Sequence, residues 1–354
     1  MAFVGTINSD IHFRNRIING AMDIDQRCNN FTTSANTVVS ASAPYTLDRF
    51  RVQCANHSGT MNVRQDSANT LVTGFVNSMR AIVTAANTSM PSGGLTRVFT
   101  SLEGNSISDF NWGTANAQSL TLSFWVRSSN TGTFSGSVTN YAEDRSYPFT
   151  YTINTANNWE KEIITIPGDT SGTWPTSNAG ALVINFDLGS GSTQYGTANA
   201  WTGSFKTGVT GSTSLMGVAG NNWYLTGVQL EEGSTATPFE RRPYGTEFQL
   251  CQRYYQKIWG GGGSASSSTG WETYIHFPVP MRGVPSISQP DGVSTIEDHA
   301  VTAYTQSSTN ATLSGGRPFG GKLILGNFSS LSGSRYYSFA GTFFSRPIHF
   351  QAEI

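Results

Sequence analysis

The chain has 354 residues, 21 Lys+Arg against 22 Asp+Glu, a formal net charge of −1 and only 12% charged side chains. Without a basic excess, broad phosphate neutralisation cannot drive nucleic-acid binding, and nothing draws the chain to an anionic membrane. Aromatic residues at 12% exclude wholesale disorder, and the length allows two or three domains with cores of their own. Ser, Thr, Asn and Gly must then do much of the work of keeping the surface wet, a composition suited to a β-rich protein and poor for a helical one.

The opening residues, Met-Ala-Phe-Val-Gly-Thr-Ile-Asn-Ser-Asp, lack a basic stretch followed by an apolar run, so no secretory signal is expected. No stretch approaches ~18 consecutive apolar residues, so no membrane insertion is expected. Three cysteines are too few for a disulfide framework. A Cys28–Cys54 bridge is allowed by spacing, but the preferred reading is three small buried hydrophobes of a chain made in a reducing cytoplasm.

Period-two alternation is the dominant pattern of the chain. Phe50, Val52 and Cys54 alternate with Arg49, Arg51 and Gln53. Leu120, Leu122, Phe124 and Val126 share one face of a strand, and Thr121, Ser123, Trp125 and Arg127 the other. Phe149, Tyr151 and Ile153, then Leu182, Ile184, Phe186 and Leu188, repeat the pattern. Each run needs one face on a core and one in water, which is the condition of an antiparallel sandwich. Clusters such as Ser128-Ser-Asn-Thr-Gly132 mark turns between the runs.

Residues 246–258 break the rhythm. They contain no Gly or Pro and space Leu250, Cys251, Tyr254, Tyr255 and Ile258 as a helix face, with Thr246 as N-cap. A helix of about three turns is expected, followed by a Gly/Ser-rich linker or hairpin tip at 260–270. The strand pattern resumes at Tyr274, Leu323 and Tyr336. The expected fold is all-β: an arm at 1–14, a jelly-roll β-sandwich at 15–245, the helix at 246–258 and a smaller β-sandwich at 259–354.

Three stretches carry a resemblance. Asn15-Arg-Ile-Ile-Asn-Gly-Ala-Met-Asp-Ile-Asp-Gln-Arg27 with Tyr45-Thr-Leu-Asp-Arg-Phe50, then Trp223–Gly233 through Pro238–Tyr244, then Leu250–Lys257, resemble the opening, closing strand and following segment of tailed-phage virion surface proteins. The interior, with Leu120–Arg127 as its best match, resembles carbohydrate-binding modules of the galactose-binding-like jelly-roll type. The resemblance implies a particle-surface protein, a tail fibre or spike tip or a head fibre, that binds a host surface polysaccharide without turnover. It also implies virion partners in capsid, collar or tail, and a homotrimer. A capsid decoration or cement protein is the main alternative, and a glycan-cleaving enzyme the second.

Groups able to hold a metal or run a reaction are sparse. The five histidines are isolated, without metal-ligand spacing. Jelly rolls of the resembled type often hold a structural Ca²⁺, for which Asp23, Asp25 and Glu231 are the candidates, with ordinary surface carboxylates as the alternative. No nucleophile elbow, phosphate-binding loop or dinucleotide fingerprint is present, so no enzyme is expected. Glu143, Asp144, Glu160 and Glu162 are weighed as a hydrolytic pair, and more simply as turn or solvent-face carboxylates.

Glycan binding needs a flat ring for the apolar face of a sugar and amides or carboxylates for its hydroxyls. Trp125, outward on its strand, and Trp112, Tyr195 and Trp201, in Asn/Gly/Ser-rich loops, are the candidate platforms. Packing under a loop or subunit is an equal reading for Trp125 and the preferred one for Trp112 and Trp201, and Trp159 and Trp223 are assigned to the core. Aromatics near the C-terminus, Tyr336 and Phe344 among them, exceed what a one-sided sheet must bury, which points to cover by a second sheet or by neighbouring protomers. The apolar face of the expected helix, with Leu250, Tyr254 and Tyr255, is assigned to the oligomer axis.

Overall fold

The computed structural model of the protein describes residues 13–27, 37–38, 43–67, 71–258, 261–292, 294–298, 302–333, 335–339 and 347–354. Cys28, Phe343, Phe344 and nearly all of the arm at 1–14 lie outside the described residues. The chain divides into two units, Met1–Pro243 and Tyr244–Glu353.

The first unit is a β-sandwich. Its strands, in chain order, are β1 (Thr37–Val38), β2 (Tyr45–Leu47), β3 (Phe50–Ala55), β4 (Thr60–Asp66), β5 (Ser78–Ala85), β6 (Leu95–Glu103), β7 (Leu120–Ser128), β8 (Gly132–Asn140), β9 (Ser146–Ile153), β10 (Glu160–Ile166), β11 (Gly180–Asp187), β12 (Tyr195–Gly196), β13 (Gly208–Val209) and β14 (Asn222–Glu232). The front sheet has the order β1-β4-β5-β14-β7-β10, the back sheet β2-β3-β6-β11-β8-β9. The pairings within both are antiparallel. The inward residues anticipated from alternation, Phe124, Val126, Phe149, Ile184 and Phe186 among them, meet between the sheets with Trp223 and Leu225 in one core. Burying side chains of this size stabilises by about 1.5–3 kcal/mol each.

β14 is the strand on which closure depends. It pairs with β5 only over Asn222–Leu225, while its pairing with β7 continues to Glu232 past an irregularity between Thr226 and Gln229. Gly227 sits there at φ +63°. Beyond it, the N-terminal segment takes the place β5 has vacated: the Val228 N–H donates to Gly20 O at 2.9 Å and the Arg16 N–H to Leu230 O at 2.9 Å. Asn15 pins the edge, its Nδ2 donating to Val228 O and its Oδ1 accepting from the Leu230 N–H. Glu240 accepts from the Asn15 N–H at 2.9 Å, and its own N–H donates to Gln229 Oε1 at 2.8 Å. The two stretches that open and close the sequence resemblance therefore form one clasp.

The second unit is also β-rich. It contains α1 (Tyr244–Gln252), then β15 (Tyr255–Ile258), β16 (Gly262–Ala265), β17 (Trp271–His276), β18 (Ser286–Ser288), β19 (Thr295–Asp298), β20 (Ala303–Thr305), β21 (Ala311–Arg317), β22 (Gly320–Leu325), β23 (Tyr336–Phe339) and β24 (Ile348–Gln351). A three-stranded sheet, β15-β24-β18, and a larger one, β20-β19-β23-β16-β17-β22-β21, share a core of Trp271, Ile275, Leu323, Leu325, Tyr337, Ile348 and Phe350.

The helix differs from expectation. It begins at Tyr244, directly after Pro243, so Thr246 is inside it and caps nothing. It ends at Gln252, and Tyr255–Ile258 is a strand in register with Gln351–Ile348. Aromatic and β-branched side chains at Tyr254, Tyr255 and Ile258 favour a pleated surface, and pairing with β24 outweighs the helical spacing. Cys54 and Cys251 are buried, Cys54 as a free thiol that burial pushes up to about 12.

Gly227 carries the sharpest fold-level expectation. A Cβ there would lie 2.7 Å from Phe75 Cζ and 3.0 Å from Trp125 Cδ1, on a left-handed backbone. Gly227→Ala is expected to destabilise by about 1–3 kcal/mol, read from the denaturant midpoint, and to shift the emission of Trp125.

Candidate functional site

An antiparallel sandwich has two outer faces, and both carry arginines here. On the back sheet Arg97 is fully engaged. Its Nε donates to Gln53 Oε1 at 3.0 Å, its Nη1 to Asn185 Oδ1 at 2.9 Å, and its Nη2 pairs with Glu143 at 3.0 Å. The guanidinium also lies 4.2 Å from the centroid of the Phe99 ring and 4.9 Å from that of Phe205. Burial lowers its pKa, opposed by Glu143. This arginine is a structural fastener.

The front sheet is different. Alternation along β4, β5, β14 and β7 sends Val63, Met79, Ala81, Trp223, Leu225 and Val126 inward, all buried. Their neighbours Arg64, Arg80, Tyr224 and Arg127 therefore point outward, and register lines them up: Arg64 opposite Arg80, Arg80 opposite Tyr224, Tyr224 opposite Arg127. Trp159, one residue before the Glu160 that pairs with Val126, continues the row. The Arg127 guanidinium lies 5.0 Å from the Tyr224 ring centroid, and the Trp159 and Tyr224 rings are 6.2 Å apart. Tyr224 is only 5% exposed and forms the floor beneath them.

Two further rows flank this one. Asn62, Ile82 and Asn222 are in register on one side. On the other, Trp125 stands between Thr226 and Lys161, half-buried on the outer face as its alternation predicts. Thr226 is tied down by Ala21 O and Asn77 O, so the straps that close the sandwich reach the face at this row. Phe75, Phe239 and Arg241 stack beside it.

Six polar atoms of the face are unmet. The Nε atoms of Arg64, Arg80 and Arg127, Arg127 Nη1, and the amide oxygens Asn62 Oδ1 and Asn222 Oδ1 are buried without a hydrogen-bond partner among the described residues. Arg80 reaches the Asp66 carboxylate only at the long distance of 3.9 Å. Buried donors and acceptors are ordinarily satisfied, and each orphan costs about 1–3 kcal/mol. Rings beside unmet N–H and C=O groups are the equipment for stacking on a sugar and bonding its oxygens.

The other predicted platforms fall elsewhere. Trp112 is 6% exposed, with Nε1 donating to Gln118 O and its ring edge-to-face with Trp174 and Trp201. Burial removes it as a platform, and packing is its role. Trp201 is half-buried in the same cluster, with Nε1 on Pro167 O and Arg145 over its ring. Tyr195 is half-buried apart from both, its hydroxyl donating to Ser190 O, and burial pushes it up to about 12. Trp223 is in the core as assigned, whereas Trp159 is not and belongs to the outer face.

Asp23, Asp25 and Glu231 do not gather. Asp23 accepts from Asn77 Nδ2, while Glu231 is buried and holds Thr237 and Gln229. Among the described residues no group of three or more His, Cys, Asp or Glu side chains is placed to hold a metal ion. Tyr254 and Tyr255 are 2% and 3% exposed, which corrects their placement at an oligomer interface. Tyr255 instead bonds His349 Nδ1 at 2.5 Å, and His349 Nε2 meets Asp291 at 2.8 Å. Leu250 is half-buried and Tyr336 is 63% exposed.

Of the four carboxylates weighed for hydrolysis, Glu143 pairs with Arg97, Asp144 accepts from Asn140, and Glu160 holds the turn at Asn154 and Thr155. Glu162 lies opposite Phe124, and burial, then the neighbouring Glu160, raises its carboxyl to about 7. The folded form thus binds the proton more tightly than the unfolded chain, so stability falls as pH rises from about 4.5 to 7. Glu162→Gln is expected to raise the melting temperature at about pH 8 and leave it nearly unchanged at about pH 4, in thermal unfolding followed by circular dichroism.

No protein-family profile and no curated protein sequence matches this chain. Among solved structures, similarity extends to the enzymatically active domain of tailspike protein 4 of bacteriophage CBA120, at 12% identity over 62% of this chain and 22% of that one, with a TM-score of 0.32. A putative sugar-binding protein from Bacteroides thetaiotaomicron is similar at 9% identity, 62% and 100% coverage and a TM-score of 0.37. A family 11 carbohydrate-binding module from a Clostridium thermocellum cellulase is similar at 13% identity, 57% and 98% coverage and a TM-score of 0.28. These superpositions are too loose to transfer a ligand or an activity.

Proposed function

We propose that this chain is a surface protein of a phage particle that binds host glycan without turnover, through the outer face of its front sheet. The observation that carries the reading is the coincidence, on one face, of Trp125, Tyr224 and Trp159 with buried polar atoms that have no hydrogen-bond partner among the described residues. A sugar ring stacks on an indole and offers hydroxyls to amide oxygens and guanidinium N–H groups, so one ligand class answers both features. The particle location rests on the sequence resemblance of residues 15–27, 45–50, 223–244 and 250–257. Sparse charge and an exterior of hydroxyl and amide groups agree with it.

Binding of this kind is weak at a single face. Several copies on one particle rebind before they leave, which raises avidity by roughly 10²–10⁴. A homotrimer is part of this proposal, with the exposed Tyr336 side chain available to an interface.

The test is a glycan array probed with the purified full chain, with released reducing ends assayed in parallel. Binding without release is expected, and Trp125→Ala is expected to cost about 1 kcal/mol, a roughly fivefold weakening, with the fold intact by circular dichroism. Reducing-end release would make the chain an enzyme. No glycan bound, together with loss of particle stability on deletion, would make it a cement protein.

A further inference from the structure

The row across the front sheet holds more charge than a neutral sugar needs. Arg64, Arg80 and Arg127 project from the same face in consecutive register, with Lys161 in the next row and Asp66 as the acidic side chain set against them. Arg64 and Arg80 stand directly opposite each other, an arrangement that destabilises a sheet unless an anion lies between the charges. The Nε atoms of Arg64, Arg80 and Arg127 are all buried and unmet. On the back sheet the same residue type, at Arg97, is satisfied by three side chains. On the front sheet Arg80 has Asp66 at 3.9 Å, while the three Nε donors and Arg127 Nη1 have no acceptor among the described residues.

We infer that this row binds an acidic polysaccharide, one carrying carboxylate or sulfate groups, along the line from Arg64 to Arg127. The inference rests on the glycan-binding reading and names its ligand class. Arg64 and Arg127 are three strand spacings apart, about 14 Å. That is room for a short oligosaccharide lying across the strands, with acidic groups reaching the guanidiniums. A planar guanidinium meets a carboxylate or sulfate through two parallel N–H donors. Between the arginines Tyr224 forms an apolar floor, and Trp159 and Trp125 flank it as stacking surfaces. Asn62 Oδ1 and Asn222 Oδ1, unmet in the adjoining row, accept from sugar hydroxyls. Nucleic acid also offers anions and rings, but a chain of net charge −1 lacks the wide positive field that steers a phosphate backbone.

The experiment is titration of the full chain with polygalacturonate, polysialic acid and heparin oligosaccharides, with carboxyl-reduced polygalacturonate, neutral galactan and single-stranded DNA as comparisons. Binding to at least one acidic glycan is expected, weakening at least several-fold between low and high salt as the charges are screened. Arg64→Gln and Arg127→Gln are each expected to weaken it about tenfold. Both variants should keep or raise the melting temperature, because each removes a like charge from a crowded row. A structural arginine would lower it, and Arg97→Gln serves as that control.

Equal binding of the neutral and acidic glycans, with Trp125→Ala weakening both, would overturn the inference and leave the glycan reading standing. Tighter binding of DNA than of any glycan would overturn the inference in favour of a nucleic acid. Failure to bind any glycan would overturn both readings.

Discussion

Tyr224 lies opposite Arg80 on one side and Arg127 on the other, and that register is set from beneath the sheet. Trp223 and Leu225, its chain neighbours, are completely buried between the two sheets with Phe124 and Phe186. A slip of one residue in β14 would carry both into solvent and turn Tyr224 toward the core. The outer row therefore inherits its alignment from the hydrophobic core. Its side chains are long, yet their Cα positions are as fixed as any in the sandwich.

The same strand also closes the fold. At Gly227 β14 leaves β5 and accepts the segment around Asn15–Gly20 as its neighbour, and Glu240 and Arg242 lock that segment from the far side. The clasp divides the front sheet's outer face. Beyond Thr226 the outward residues of β7 and β14, Ser123, Gln229, Thr121 and Glu231, are buried, while Trp125 and Asn222 are half-buried. A β-sandwich normally leaves an outer face uniformly wet. Here the closing segments reach the face at Thr226, whose hydroxyl donates to Ala21 O and Asn77 O.

The alternating runs were legible because period two demands one dry face, and residues 120–127 alone place Trp125 and Arg127 together on the wet one. The rest of the row was not legible. Arg64, Arg80, Tyr224 and Trp159 sit in segments far apart along the chain, and only tertiary register makes them neighbours. Tyr224 was further masked because nearly every residue of β14 is buried, so its strand shows no alternation of burial to read. Trp112 could be read both ways, since a Trp among Asn and Gly looks exposed, and the packing reading holds because Trp174 and Trp201 arrive from distant loops to cover it. The helix ended early on the same account, since the strand that captures Tyr255–Ile258 lies near the C-terminus. Short-range pattern defined faces, and long-range pairing decided which faces meet.

The two arginine settings show how one side chain serves two ends on one scaffold. Arg97 is buried, and three neighbours share its donors, so its charge is neutralised internally and its removal would strand Gln53, Asn185 and Glu143. Arg64 and Arg127 are half-buried, and their Nε atoms have no hydrogen-bond partner among the described residues. Desolvating a charge is costly unless it is paired, so the first arrangement is stable only with its partners and the second only with water or a ligand. A guanidinium half-sunk beside an aromatic floor has already lost part of its hydration. An incoming anion need displace less water there than at an open lysine, and it meets donors already oriented. Affinity gained by preparing such a site in advance is offset by lower stability of the empty protein.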